Sequence, residues 1–183
     1  MSGLMFYGLG LSMIVQAQIG VPPWDVLALG LSKTLSISYG LASILVSALA
    51  LLAWIPLKVR PGIGSIANAV LIGLWADFFM QFIKPLTGFW PSLIMFCAGM
   101  VVVAIATGLY ISAQLGKGPR DGLMLGTAAA LKAPLWLVRT GYEATVLLIG
   151  WLLGGQVGLG TLLFAVCIGY LMQTSIRLFK ADN

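Results

Sequence analysis

Four of the five acidic residues, Asp25, Asp77, Asp121 and Glu143, lie inside long apolar stretches. A carboxylate at membrane depth costs on the order of 2–3 kcal/mol or more. Each therefore calls for a reason, either a partner or a task. Asp25 and Asp121 sit in matching motifs, Gly20-Val-Pro-Pro-Trp-Asp-Val-Leu and Gly116-Lys-Gly-Pro-Arg-Asp-Gly-Leu. Pro23 and Pro119 suit the first position of a helix, where a missing N–H is harmless. The acid two residues on can accept from free backbone N–H groups and complement the helix dipole. A structural cap is one reading. The other is that both acids line or order a central site, because two copies stand at equivalent breaks.

Between each Pro and Asp the halves differ, with Trp24 in one and Arg120 in the other. A guanidinium beside two helix starts makes an anion site; its alternatives are an internal pair with an acid or a reach to the membrane face. Trp24 offers either a flat apolar wall or a belt residue at the interface. Two ladders at four-residue spacing follow: Ser65, Ala69, Gly73, Asp77 and Thr161, Ala165, Gly169, Gln173. Small residues at that spacing allow close helix packing, so Asp77 and Gln173 are expected to point inward, toward a neighbouring helix or a solute. Arg139 and Glu143 stand one turn apart and are expected to neutralise each other.

Other chemistries are absent from the chain. There is no His, which removes His metal sites and Ser-His or Cys-His catalysis. Cys97 and Cys167 lie far apart in apolar runs and read as buried small hydrophobes. No metal or cofactor is expected. Two equivalent aspartates could share a proton in an aspartyl enzyme, but neither lies in a protease signature, so no enzyme is expected. The net charge of +5 comes from scattered basic residues, which fits topology control rather than nucleic-acid binding.

The elements that must position these residues follow from composition. Apolar residues make up 60% of the 183-residue chain and charged residues 8%, too few charges to wet a soluble surface. The reading is an all-α, polytopic membrane protein. Residues 1–90 and 91–183 align without a gap, Gly20 on Gly116 and Gly73 on Gly169, which marks a duplication. Each unit reads as three spans plus a half-helix too short to cross. The first unit gives spans near 4–19, 39–57 and 63–83, the second near 92–115, 135–153 and 159–179. Half-helices begin at Pro23 and Pro119.

Basic residues arbitrate whether the half-helices cross. If they return, Lys58, Arg60, Lys117, Arg120, Lys132, Arg139, Arg177 and Lys180 share one side, with Lys33 and Lys84 opposite. Crossing half-helices give a weaker split. The expectation is two inverted repeats with re-entrant half-helices and both termini cytoplasmic.

Together with the Arg60-Pro-Gly-Ile-Gly turn, the two motifs make nearly the whole chain similar to the bacterial YczE/YyaS/YitT group of small integral membrane proteins. That resemblance implies a bacterial inner-membrane, multi-span protein and supplies no catalytic residues. The architecture is one that carriers use, with a site near the midplane where broken helices meet. The expected task is moving a small organic solute, with Asp25, Asp121, Arg120 and Trp24 around it and Asp77 and Gln173 in support. A passive pore and an accessory or structural subunit are the alternatives. The expected partners are the solute, the lipid bilayer and, optionally, a second copy of the chain.

Overall fold

A computed structural model describes residues 1–112 and 116–180, and every element in them is helical. The helices are α1 (Ser2–Gln16), α2 (Pro23–Leu35), α3 (Tyr39–Leu52), α4 (Ile63–Met80), α5 (Phe89–Ser112), α6 (Pro119–Leu131), α7 (Leu135–Leu152) and α8 (Leu159–Lys180). Residues 113–115, the expected end of the fourth span, lie outside the described residues. Three helices, α4, α5 and α8, are long and apolar enough to cross a bilayer. The 15 residues of α1 and 14 of α3 are shorter than expected, reaching about 22 Å at 1.5 Å per residue. Helices α2 and α3 bend by 117° across their junction, so the first does not continue into the second.

Unusual backbone recurs at the same offset as the motifs. Gly20 and Gly116 have φ of 115° and 131°, Ser36 and Lys132 have 52° and 51°, and Lys58 and Gly154 have 55° and 84°. Ser36 and Lys132 end the two short helices in left-handed caps, which stop a helix by turning the chain away.

Packing follows the glycines. Helices α1 and α5 cross so closely that a Cβ on Gly10 would meet the Gly99 carbonyl at 2.9 Å, and one on Gly99 the Gly10 carbonyl at 2.9 Å. Gly3 lies against Ala106 and Tyr110 farther along, so the two helices run antiparallel. Helix α4 packs on α1, and α8 packs on α5. The Leu86 N–H donates to the Gln16 carbonyl at 3.1 Å, placing the ends of α1 and α4 together. Lys33 Nζ donates to the Gly154 carbonyl at 2.6 Å, so α2 finishes beside the α7–α8 turn.

The two breaks seat alike. A Cβ on Gly20 would meet Gly158 N and Thr161 Oγ1 at 2.8 Å; one on Gly116 would meet Ser65 Oγ at 2.8 Å. Both glycines therefore need their missing side chain as well as positive φ. Elsewhere bulk is exchanged: Trp54 lies directly on Gly122, while Gly150 receives the backbone of Val26 and Leu27. Trp54 also donates from Nε1 to the Pro119 carbonyl at 3.0 Å, tying α6 at its start.

Two expectations need correction. Cys97 is exposed and Cys167 half-buried, because each sits on the outward stripe of its helix rather than in the core. The second ladder does not pack as the first does. Ser65, Ala69 and Gly73 are buried, whereas Ala165, Gly169 and Gln173 are exposed, because α3 packs on α4 while α7 has no comparable packing on α8.

Candidate functional site

The starts of α2 and α6 meet through side chains. Asp25, 1% exposed, accepts from Arg120 Nη2 at 3.0 Å through Oδ1, with a longer 3.5 Å contact from Nη1 to Oδ2. Tyr39 Oη donates to the same Oδ1 at 2.9 Å. Trp24 lies beneath the guanidinium, 5.5 Å from ring centre to Cζ, and stacks with Tyr142 at 6.4 Å. The α6 arginine thus pairs internally with the α2 acid. The indole is 7% exposed and supports the arginine, so it is neither a belt residue nor a bare platform.

This cluster borders a cavity of about 600 Å³. Besides Trp24, Asp25 and Arg120, its wall carries Asp121, Gln173 and Asn68. Tyr7 and Tyr110, edge to face at 6.3 Å, form an aromatic side with Phe164. Arg120 keeps 23% of its side chain accessible and, among the described residues, gives hydrogen bonds only to Asp25. A guanidinium has five N–H donors, so donors remain beyond those given to Asp25. Arg139 and Glu143, paired at 2.8 Å, border it too. An adjoining hollow of about 510 Å³ shares Asp121 and Arg139 and continues past Lys117 to Leu135.

Asp77 is elsewhere. Its Oδ1 accepts from the Gly40 N–H at 2.7 Å and its Oδ2 from Ser38 Oγ at 2.5 Å, which caps the first turn of α3 from α4. It is absent from the cavity wall, while Gln173, at the matching position of α8, is part of it. The ladder spacing placed Asp77 on an inward face, and the helix start it meets there consumes its carboxylate. Tyr39, Tyr7 and Asn68 are wall or cluster residues that the sequence reading missed. A Tyr directly after an N-capping Ser, three residues past a short helix, was the available signal for Tyr39.

Residues 1–177 match the family described as a family of unknown function, DUF6198. The chain belongs to the DUF6198 family. A Haemophilus influenzae relative, described as an uncharacterized protein, is 38% identical over 170 residues, 93% of this chain and 78% of the relative. From Bacillus subtilis, the uncharacterized membrane protein YczE is 34% identical, covering 96% of this chain and 82% of its own. The uncharacterized protein YyaS of the same organism is 29% identical over 171 residues, covering 91% and 85%. No solved structure matches. With its apolar helices and a membrane protein among its relatives, this DUF6198 chain is integral to a membrane.

Proposed function

We propose that this protein is a carrier, not an enzyme, that moves a compact organic solute through a site between two inverted repeats, residues 1–90 and 91–183. The observation that carries the reading is the cavity where α2 and α6 begin, onto which Arg120 opens. At about 600 Å³ it has the size of a small-molecule site. The antiparallel α1–α5 crossing and the recurring backbone turns support inversion. Re-entrant half-helices are supported by the ends of α1 and α2, which reach Leu86 and Gly154, on the loops that follow α4 and α7.

The same two contacts support a reading with Lys33 and Lys84 toward one end of the bundle and the other basic residues on the opposite, cytoplasmic side. That asymmetry supports cytoplasmic termini, and the bacterial relatives accord with an inner-membrane location. Single-cysteine labelling in a Cys-free background should find the Arg60 turn and both termini inside and Lys33 and Lys84 outside. Lys33 on the same side as the N-terminus would overturn inversion.

Solute class follows from the wall. Arg120 favours a carboxylate or phosphate, Asp121 and Gln173 an ammonium or hydroxyl, and the tyrosines an apolar body. A zwitterionic or weakly charged metabolite fits this mixture, whereas a nucleotide would need more free cations. A binding panel of amino acids, vitamins, inorganic ions and nucleotides tests it. Arg120→Gln should weaken binding more than Lys117→Gln, since Lys117 borders only the adjoining hollow. Selective binding of a bare ion alone would overturn the solute class, and flux rising linearly with concentration would favour a pore.

A further inference from the structure

The cavity is not symmetric between the halves. Helix α8 contributes from Phe164 to Arg177, through its middle to its finishing end, and α7 contributes Arg139 and Glu143, in its first half. Helix α4 contributes Asn68, Ala69 and Ile72, and α1 contributes Tyr7 and Leu11, none in the last quarter of its helix, while α3 contributes Ser43 and Ser47. Because α1 and α5 run antiparallel, these segments share one end of the bundle. The cavity reaches Arg177 at that end; toward the other it extends to Ser43 without reaching Gly40 or Asp77.

Matching positions explain where it stops. Between α3 and α4, a Cβ on Gly73 would meet the Gly40 carbonyl at 2.5 Å and Ile44 Cγ1 at 2.8 Å. Over that crossing Asp77 grips Ser38 and the Gly40 N–H. Between α7 and α8 the counterparts are Trp136 for Gly40, Gly169 for Gly73, Gln173 for Asp77 and Pro134 for Ser38. A Cβ on Gly169 meets nothing within 4 Å, and Trp136 is 68% exposed. One seam is zipped and latched, and its counterpart is open. The breaks differ in the same sense. Thr161 Oγ1 donates to the Val21 carbonyl at 2.9 Å, whereas Ser65 Oγ, its counterpart, has no partner among the described residues.

Resting on the carrier reading above, we infer that this is the state open toward the end where α8 finishes, and that Asp77 is the latch that keeps the opposite seam shut. In the second state the α3–α4 seam parts and the α7–α8 seam closes. Asp77 therefore acts on access through the start of α3, not on the solute. A charge-assisted bond to a hydroxyl and a second to a backbone N–H hold the latch. Removing them biases a two-state equilibrium without touching the wall.

Ser43→Cys on the cavity wall, in a chain carrying Cys97→Ala and Cys167→Ala, reports access to a membrane-impermeant methanethiosulfonate reagent applied to either face of sealed vesicles. With the latch intact, reaction should come from the α8-terminal face alone. Asp77→Ala with Ser38→Ala should raise the rate from the opposite face about tenfold and lower it from the first. Ser38→Ala alone, which leaves the Gly40 bond, should give a smaller rise and guards against misfolding of the double variant. Equal reaction from both faces with the latch intact would overturn the inference, as would monodisperse latch variants with native sidedness. A solute panel that binds nothing would remove the carrier reading while leaving the sidedness result standing.

Discussion

Arg120→Gln should lower stability by about 3–5 kcal/mol, and Asp25→Asn by clearly less. The inequality comes from burial. Asp25 is 1% exposed, so without the guanidinium its charge keeps a single protein donor, the Tyr39 hydroxyl. Arg120 is 23% exposed, and after loss of Asp25 the cavity can hydrate it. The amide introduced by Asp25→Asn would still offer an oxygen to Tyr39. The double variant Asp25→Asn, Arg120→Gln removes both charges and should recover most of the loss, although it should not recover solute binding. Thermal unfolding of the purified protein in detergent, with gel filtration as the fold check, reads all three. Equal losses in the two single variants, or a double variant no more stable than Arg120→Gln, would contradict this account of the pair.

Local signals made the helices legible. Pro23 and Pro119 at helix starts, Gly20 and Gly116 at the breaks and long apolar runs between them gave eight helices near their observed positions. The helices α1 and α3 stop short of the expected Ile19 and Leu57, because apolar composition continues past the turns that end them. What hydropathy does not encode is which residue meets which across the chain. Arg120 reaches Asp25 over 95 positions and Asp77 reaches Gly40 over 37. The repeat supplied the first meeting, since two equivalent helix starts must come together near the centre. It misled on the second, because matching positions invited matching roles for Asp77 and Gln173. Gly40 has no glycine counterpart, and Trp136 in its place prevents the same backbone approach between α7 and α8. Matching positions therefore carry the frame, and the departures from the match carry the asymmetry of the site.

That asymmetry gives opposite signs for one substitution at two matching glycines. Gly73→Ala should destabilise by about 2–3 kcal/mol, since its Cβ would lie 2.5 Å from the Gly40 carbonyl and backbone would have to shift. The strain also pushes α3 from α4, so part of the effect should emerge as increased access from the latched face. Gly169→Ala meets open space and exchanges a mid-helix glycine for a better helix former, so stability should hold or rise by up to about 1 kcal/mol. Gly169→Leu goes further. It projects into the cavity wall, and it should obstruct the packing of Trp136 over α8 that closing the α7–α8 seam requires. A Gly169→Leu protein should thus be well folded, open toward the α8-terminal face and unable to exchange solute across the membrane, even where binding survives. Comparable destabilisation by alanine at both glycines, measured by thermal unfolding, would mean that the α7–α8 seam is as tightly closed as its counterpart.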